Sequence, residues 1–291
     1  MKLVTYSING KRAIGKMSDE TVVDLSGAYP GAPQTMLEAL QGGPAVLKQL
    51  AAVPASAGKS FALTDVKLEA PINNPEKFLA IGLNYQDHID EIVARGGKAP
   101  EHQIWFNKQV SCITGPFDPI FKPKVSEKLD YEAELGVVIG KTCRYISEAD
   151  ALGAVAGYFI VNDVTARDWQ RMTPQWTLSK SFDSHGPIGP WIATADEIPD
   201  PQSLSMRLFV NGDLRQQTST ALMAFNVAAQ ISHLSKVMTL KPGDILATGT
   251  SAGAGWGRDP PVFLQPGDIV RVEIDQIGHI ENTVAQEPDF V

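Results

Sequence analysis

The most informative stretch of this 291-residue sequence is residues 131–140, YEAELGVVIG, which predict a β-strand. The valine and isoleucine run at 137–139 is typical of a strand, and on a strand residues two apart point to the same face. Glu132 and Glu134 therefore lie side by side. Adjacent carboxylates repel each other unless a cation neutralises them, so this strand either holds an oxygen-ligated ion or is an edge strand with a solvent-exposed face.

The segments around this stretch are also short and strand-like. From residue 77 onward, runs rich in β-branched and aromatic residues recur between glycine and proline turns. The runs are FLAIGLNY (78–85), GYFIVND (157–163), GPWIAT (189–194), SMRLFVNG (205–212), GDILATGT (243–250) and GDIVRVEID (267–275). Helical spacing occurs at 86–95, 147–156, 166–171 and 224–236. The pattern predicts a β-rich α+β body with few helices.

The first part of the chain has a different pattern, which predicts a small α+β domain before the larger one. Short β-type runs flank Asn9-Gly10, a dipeptide typical of hairpin turns. Residues 34–52 have apolar side chains at helical spacing, interrupted by a Gly-Gly-Pro sequence, so we expect two short helices there. We therefore place a small N-terminal domain at 1–72 and a catalytic domain at 73–291.

Composition and charge exclude several classes of function. The chain has 25 Lys and Arg against 33 Asp and Glu, a net charge of −8, which is the wrong sign for binding a nucleic-acid backbone. No apolar run approaches the ~18 residues of a membrane-spanning helix, and the first residues lack the apolar segment of a signal peptide. Cys112 and Cys143 have no metal-binding or redox spacing. We expect a cytoplasmic protein without nucleic-acid or membrane partners.

A third carboxylate follows a second predicted strand. Asp163 ends the run GYFIVND, at the rim of the expected sheet. Glu132, Glu134 and Asp163 together offer hard oxygen ligands and leave positions for water or substrate, which suits Mg²⁺ or Mn²⁺, with Ca²⁺ as a substitute. Asp163 could also cap the helix that follows it, and both roles are compatible. Arg167 and Gln170, on that helix, would then lie near Asp163.

Candidate acid–base groups lie in two other segments. In GLNYQDHIDE (82–91), His88 and Glu91 stand three residues apart on a predicted helix, so they can touch. A carboxylate favours the charged imidazole and fixes the tautomer needed to activate water, although a solvated surface pair would have the same spacing. Lys180 precedes the turn-rich GPIGP (186–190) and could reach a substrate carboxylate or an oxyanion, or could simply be solvated.

One motif that looks catalytic is rejected. Residues 249–253, GTSAG, match the G-x-S-x-G elbow of serine hydrolases and follow a predicted strand. The elbow also requires a helix directly after the serine, but the glycines and prolines of residues 254–261 disfavour one. Phosphate-binding and zinc-protease motifs are absent from the sequence. We therefore do not expect a serine hydrolase, a nucleotide-binding enzyme or a zinc peptidase.

Taken together, these segments resemble the fumarylacetoacetate hydrolase family, in order, through most of residues 77–285. The resemblance is carried by GLNYQDHIDE, YEAELGVVIGK, NDVTARDWQ, SKSFDSHGPIGPW and GDILATGT. It implies a mixed β-roll catalytic domain, a small extra N-terminal domain as in the longer members, and a homodimer.

The resemblance also assigns residues to three roles. The catalytic residues would be His88 and Glu91, on a mobile lid, and Lys180, which would stabilise enolate or oxyanion charge. The substrate-binding residues would be Arg167, Gln170 and Thr250. The metal ligands would be Glu132, Glu134 and Asp163. Many relatives have proline where this chain has Ser251, which leaves the shape of the loop after Thr250 open.

The chemistry implied is cleavage of a carbon–carbon bond in a 2,4-diketo acid such as an acylpyruvate. The metal would make an enolate a tolerable leaving group, and His88, polarised by Glu91, would activate water; the products would be a 2-oxo acid such as pyruvate and a carboxylic acid. Decarboxylation, tautomerisation of oxaloacetate-like acids and isomerisation need similar groups, but the His–Glu pair favours hydrolysis. A metal-dependent binding protein without turnover would leave that pair unused. For Trp105, Phe106 and Trp256, we expect a core location rather than a pocket.

Overall fold

The structure is a computed structural model that describes residues 1–56 and 59–289. Its first elements are β1 (Lys2–Ile8), β2 (Lys11–Ser18), β3 (Thr21–Asp24), α1 (Met36–Gln41), α2 (Gly43–Ala52), β4 (Ser60–Ala62) and β5 (Lys67–Glu69). Asn9 and Gly10, between β1 and β2, have φ values of 51° and 75°, which confirms the predicted hairpin turn. The two predicted short helices are also confirmed, with Gly42 at the break.

The larger part of the chain follows the same strand-rich pattern. Its elements are β6 (Phe78–Gly82), α3 (Gln86–Ala94), β7 (Ile104–Asn107), β8 (Ile113–Thr114), β9 (Ile120–Lys122), β10 (Leu129–Asp130), β11 (Ala133–Ile139), α4 (Glu148–Ala151), β12 (Val155–Asn162), β13 (Thr165–Ala166), α5 (Arg167–Gln170), β14 (Gly186–Thr194), β15 (Ser205–Val210), β16 (Asp213–Ser219), α6 (Val227–Val237), β17 (Ile245–Ala247), β18 (Ile269–Ile274) and β19 (Gly278–Gln286). The architecture is α+β and β-rich, as predicted.

The helices are short, and one of them is shorter than predicted. The helix expected at 147–156 ends at Ala151, and β12 begins at Val155 after a 3₁₀ turn. The reason is tertiary, because the last two residues of this segment belong to β12, which pairs with both β11 and β14, and strand pairing outweighs their helical spacing. Helix α5 has Ala166 as its N-cap, so Asp163 does not cap it. No helix within residues 1–56 and 59–289 is long and apolar enough to cross a membrane.

Two sheets carry most of the described strands. The larger has 12 strands, in the order β4-β3-β2-β1-β14-β12-β11-β17-β6-β7, with β5 beside β1 and β8 beside β14. The smaller has five strands in the order β16-β15-β18-β19-β9, and β10 and β13 form a separate pair. The N-terminal strands continue the large sheet through β1 and β14, where Leu3 stands opposite Ile192. The division into domains at 1–72 and 73–291 stays a prediction.

Strand β11 lies in the middle of the large sheet, between β12 and β17. Leu135, Val137 and Ile139 belong to the core that includes residues of the five-stranded sheet. Val138 points the other way, into the core that includes residues of α1 and α2. Because both faces are covered, the run is apolar without alternation. The two glutamates at the start of this strand are therefore buried, and the edge-strand alternative is wrong.

Candidate active site

Three carboxylates converge where β11 begins and β12 ends. The two strands are antiparallel, with Ala133 opposite Asn162, so the start of one adjoins the end of the other. Glu132, Glu134 and Asp163 each place a carboxylate oxygen within 4.8 Å of those of the other two, and all three residues are buried. The Asp163 amide also donates to the Glu132 carbonyl at 2.9 Å. The structure thus brings the three predicted metal ligands together.

This acidic trio is only partly neutralised by its neighbours. Lys180 Nζ donates to Glu132 Oε2 and Asp163 Oδ2, both at 2.5 Å. Burial raises the pKa of Glu132, but the positive charges of Arg167 and Lys180 outweigh it and bring that pKa down to about 2. Burial, with the charges of Asp163 and Glu132, raises the pKa of Glu134 well above its usual range. A divalent cation would remove this repulsion, and an all-oxygen donor set fits Mg²⁺ or Mn²⁺.

Lys108 is a buried cation that the sequence analysis did not single out. Its Nζ donates to Asp163 Oδ1 at 2.7 Å and to the carbonyl oxygens of Lys180 and His185. Neither the Lys108 nor the Asp163 side chain is accessible to solvent. Lys108 therefore holds Asp163 and the Lys180 segment in one arrangement. Nothing in the sequence marks it, because an isolated lysine after a strand usually lies in solvent.

Arg167 is held by two carboxylates. Its Nε donates to Asp130 Oδ2 at 2.8 Å and its Nη2 to Glu132 Oε1 at 2.6 Å. Its Nη1 donates to Gln170 Oε1 at 3.0 Å, so the arginine also orients that amide. Asp130, which the sequence analysis did not single out, accepts from the backbone amides of residues 255 and 256 at 2.7 and 3.0 Å. Asp130 thereby links Arg167 to the turn at 255–257.

Helix α3 lies against that turn and carries the predicted acid–base pair. His88 Nδ1 stands 2.9 Å from Glu91 Oε2, and His88 is buried, so this is not a solvated surface pair. The His88 ring meets Trp256 edge-on, with the centroids 6.1 Å apart. Farther along the helix, an Arg95 guanidinium nitrogen donates to the Gly257 carbonyl. The helix and the turn therefore enclose one side of the site together.

Thr250 lies in the loop after β17, close to the acidic trio. Its hydroxyl accepts from Gln216 Nε2 at 2.9 Å, and Gln216 Oε1 accepts from the Ala133 amide at 3.0 Å. The Gly249 amide donates to Glu134 Oε2 at 2.8 Å. Gln216, which the sequence analysis did not single out, thus connects this loop to Ala133, the residue between the two glutamates. Gln216 and Ala133 are 83 positions apart in the chain.

The rejected serine-hydrolase motif lies in the same loop. The Ser251 hydroxyl is buried and donates to the Ala252 carbonyl at 3.2 Å. The next element is a 3₁₀ turn at Gly255–Gly257, not a helix that starts directly after the serine. The geometry required of a nucleophile elbow is therefore missing from this loop.

A cavity of about 260 Å³ joins the predicted site residues. Those that line it are His88, Glu132, Glu134, Arg167, Gln170, Lys180 and Thr250. The other two predicted residues contact lining residues, since Glu91 bonds His88 and Asp163 bonds Lys180. The structure therefore brings all nine predicted residues into one site.

Apolar and cationic side chains complete the cavity wall. The remaining lining residues are Ile81, Gly82, Leu83, Ile92, Phe106, Arg171, Trp176 and Trp256. Trp256 thus lines the cavity, against the expectation of a core location. Phe106 belongs to the buried core, as expected, and also lines the cavity, whereas Trp105 packs on the core. A Cβ at Gly82 would collide with the Trp176 ring, so only glycine allows this wall to close. Arg171 and Trp176 were not singled out from the sequence.

Comparison with known proteins extends the motif resemblance to the whole chain. The model of the fumarylacetoacetate (FAA) hydrolase C-terminal domain matches residues 77–285. A mitochondrial oxaloacetate tautomerase of Xenopus laevis is 44% identical over 265 residues, which cover 90% of this chain and 82% of the relative. The structure of a fumarylacetoacetate hydrolase from the psychrophile Exiguobacterium antarcticum is 39% identical with a TM-score of 0.87, and the match covers 99% of this chain and 100% of that one.

A third relative was solved with a metal. Maleylpyruvate hydrolase from Sphingobium sp. SYK-6, in complex with manganese(II) and pyruvate, is 32% identical with a TM-score of 0.82, and the match covers 99% of this chain and 100% of that one. The relatives of this chain thus include a protein named as a tautomerase and one named as a hydrolase. The family model, the relatives and the buried acidic trio agree, and the chain belongs to the fumarylacetoacetate hydrolase family.

Proposed function

We propose that this protein is a metal-dependent tautomerase that interconverts the keto and enol forms of oxaloacetate-like 2-oxo acids. One observation carries the proposal: His88, paired with Glu91, lines the same small cavity as Glu132 and Glu134. A proton-transfer group therefore faces the place where a 2-oxo acid would be held. The 44% identity to an oxaloacetate tautomerase supports this reaction, whereas the sequence analysis favoured hydrolysis.

Glu132, Glu134 and Asp163 would hold the cofactor, Mg²⁺ or Mn²⁺. Bound there, the ion would act as a Lewis acid on the keto oxygen of a 2-oxo acid and stabilise enolate charge. The manganese in the similar maleylpyruvate hydrolase supports this assignment. The protein contributes a buried, all-oxygen donor set that is short of positive charge without the ion.

His88 is the proposed proton-transfer residue. Because Nδ1 bonds Glu91, Nε2 is the ring nitrogen left to exchange a proton with substrate. In the keto-to-enol direction, His88 accepts the proton from the carbon beside the keto group, and the resulting imidazolium returns it to the keto oxygen. One C–H bond breaks, one O–H bond forms, and the electron pair moves into the carbon–carbon bond.

The other predicted residues would bind and stabilise the substrate. Burial lowers the pKa of Lys180, but the charges of Asp163 and Glu132 outweigh it and raise that pKa, so the side chain stays an ammonium that can stabilise charge on the oxygen. Gln170 and Thr250 line the cavity with groups that can bond to carboxylate and keto oxygens. Arg167 is already paired with two carboxylates, so its proposed role is to position Gln170 for the substrate.

Hydrolysis of a 2,4-diketo acid is the second candidate. The His88–Glu91 pair can activate water as readily as it can transfer a proton from carbon. The 32% identity to maleylpyruvate hydrolase over almost the whole chain also supports it. Decarboxylation of an oxaloacetate-like acid would need the same enolate stabilisation and is distinguished by carbon dioxide release.

An ultraviolet assay with product identification tests these alternatives. Purified protein is mixed with enol-oxaloacetate and, separately, with a short acylpyruvate, first with Mg²⁺ or Mn²⁺ and then with excess chelator. Metal-dependent loss of the enol signal without cleavage supports the tautomerase. Metal-dependent release of pyruvate from the acylpyruvate supports the hydrolase instead, and carbon dioxide indicates a decarboxylase. Ligand-induced stabilisation without any product would indicate a binding protein and overturn the proposal.

A matched pair of histidine variants locates the activity. His88→Asn should lower kcat about 10²- to 10⁴-fold, the range usual for loss of a general acid–base group. His102→Asn, at an exposed loop position, should leave kcat unchanged. Equal activity of the two variants would rule out His88 as the proton-transfer residue.

The assembly and location of the protein are also proposals. The family resemblance implies a homodimer, so light scattering should give about twice the 31.4 kDa of one chain. A monomer would contradict this. The expected cytoplasmic location is tested by fractionating the source cells.

A further inference from the structure

Arg171 is a cavity-lining cation that the proposed mechanism does not use. It is the C-cap residue of α5, it is exposed, and its guanidinium lies 5.8 Å from the centre of the Trp256 ring. Among the described residues it forms no ion pair with an aspartate or glutamate. The backbone amide of Arg171 donates to the Asp168 and Trp169 carbonyls, which fixes the backbone of Arg171 to the end of the helix. The charge at this part of the wall is thus available to a ligand.

The other two cations that line the cavity are matched by protein carboxylates. Lys180 is paired with Glu132 and Asp163, and Arg167 with Asp130 and Glu132. Neither has a charge left over for a second anionic group of a ligand. Arg171 therefore carries a cavity-lining positive charge that no carboxylate among the described residues pairs with.

The spacing of the two arginines indicates where that anionic group would lie. Arg167 is the first residue of α5 and Arg171 is its C-cap, so about one helical turn separates them. Both guanidinium groups lie within 5.8 Å of the Trp256 ring centre. Arg171 is therefore about one helical turn from the group that contacts Glu132. A short ligand whose head lies at the acidic trio would end beside Arg171.

We propose that Arg171 is a specificity-determining residue that binds the second carboxylate of a dicarboxylic 2-oxo acid. Arginine suits this role because its planar donors bond both oxygens of a carboxylate at once. Trp256 would support the guanidinium by cation–π contact while leaving its N–H edges free. This inference rests on the proposed function, which places the 2-oxo acid head at the acidic trio.

A matched pair of ligands tests the proposal without requiring turnover. 2-Oxoglutarate and 2-oxopentanoate share the 2-oxo acid head and chain length, and differ by a terminal carboxylate in place of a methyl group. With Mg²⁺ present, calorimetry should show that the wild-type protein binds 2-oxoglutarate at least tenfold more tightly. In Arg171→Gln the affinity for 2-oxoglutarate should fall about 10- to 100-fold, and that for 2-oxopentanoate less than twofold.

Two further variants separate recognition from packing. Arg171→Lys retains the charge and should recover part of the preference for 2-oxoglutarate. Arg144→Gln removes another exposed arginine that stacks on an aromatic ring, Tyr145, outside the cavity, and should keep the full preference. A wild-type affinity ratio near one, or an unchanged ratio in Arg171→Gln, would overturn the proposal. If the wild-type protein does not convert oxaloacetate, the proposed function fails, while the affinity ratio still decides the role of Arg171.

Discussion

Single side chains set the charge balance on which the candidate site depends. Asp163 forms ion pairs with two lysines, and Glu132 forms ion pairs with a lysine and an arginine. Glu134 instead accepts a hydrogen bond from the Gly249 amide. Burial and two nearby carboxylates therefore make the charged form of Glu134 costly. A bound divalent cation would remove this repulsion, and the free energy recovered in this way would contribute to its binding.

Glu134→Gln should consequently separate metal binding from folding. The substitution removes a charge that is unfavourable without metal, so the Tm of the metal-free protein should stay the same or rise. The rise in stability caused by Mg²⁺, about 2.7 kcal/mol at one hundred times Kd, should be lost. Thermal unfolding with Mg²⁺ and with chelator measures both. Glu148→Gln, at an exposed position, is the control, and a normal Mg²⁺ response in Glu134→Gln would contradict the metal assignment.

Lys108→Met tests the buried ion pair with Asp163. Removing the lysine leaves the buried Asp163 carboxylate with Lys180 as its remaining cation, so the free energy of unfolding should fall by up to about 3–5 kcal/mol. Urea denaturation of the metal-free protein measures it. Lys241→Met is the matched control, because Lys241 and Glu76 form a pair with side chains 51% and 55% exposed and should contribute at most about 1 kcal/mol. Equal losses in the two variants would show that Lys108 has no special role.

Helix α3 and the 3₁₀ turn at Gly255–Gly257 act as one element over the cavity. Asp130 accepts from the backbone amides of the turn, and Arg95 donates to its Gly257 carbonyl. Trp256, within the turn, contacts His88 and lines the cavity. The closeness of this packing explains a glycine at position 257. A Cβ there would collide with the Glu91 carboxylate, so glycine lets the helix lie close enough to keep Glu91 beside His88.

Gly257→Ala should therefore displace Glu91 without touching the acidic trio. We expect kcat/KM to fall at least about tenfold, because His88 loses the carboxylate that orients it. The affinity for Mg²⁺ should change less than twofold. Gly153→Ala is the control, since a Cβ there has no neighbour within 4 Å. Unchanged kinetics in Gly257→Ala, with Mg²⁺ binding intact, would show that the helix tolerates a wider separation.

The stability of the whole molecule depends on contacts between its sheets, and His185 forms one of these contacts. His185 Nε2 stands 3.1 Å from the Phe121 carbonyl, and the His185 carbonyl accepts from Lys108. Nδ1 is buried without a partner among the described residues. A proton on Nδ1 would be buried and unpaired, and burial accordingly lowers the pKa of His185 to about 3.

Global stability should therefore fall in mild acid. The pKa of His185 is lower in the folded protein than its value in the unfolded chain, near 6.5. As the pH falls from 6.5 towards 3, the unfolded chain therefore binds a proton that the folded protein does not, and the free energy of unfolding decreases. His185 alone should cost up to about 1.4 kcal/mol per pH unit below 6.5. Urea denaturation between pH 7.5 and pH 5 measures the slope. His185→Gln should reduce it, whereas His102→Gln, at an exposed position, should not; identical slopes in all three proteins would contradict the assignment.

Local periodicity explains why much of the candidate site could be predicted. Two-residue spacing on a strand places Glu132 and Glu134 on one face, and three-residue spacing on a helix places Glu91 beside His88. These relations do not depend on how the rest of the chain packs. The same holds for the hairpin turn at Asn9-Gly10, whose residues tolerate positive φ.

The relations that could not be predicted join distant parts of the chain. Lys108 meets Asp163 across 55 positions, and Gln216 meets Ala133 across 83. Each such contact depends on which strands become neighbours, and strand order is not encoded in the spacing within any one segment. For the same reason the sequence left open whether β11 was an edge strand or a central one.

Sequence alone therefore predicted the strand-rich fold class, the family resemblance and nine candidate site residues. Tertiary structure established that seven of these residues line one cavity and that the other two contact them. It also established that Lys108, Asp130 and Gln216 hold them in place, and that Arg171 and Trp256 form part of the cavity wall. The physical reason is the range of the interactions. Backbone geometry determines neighbours within a few residues, whereas burial and charge pairing depend on all the segments that the fold brings together.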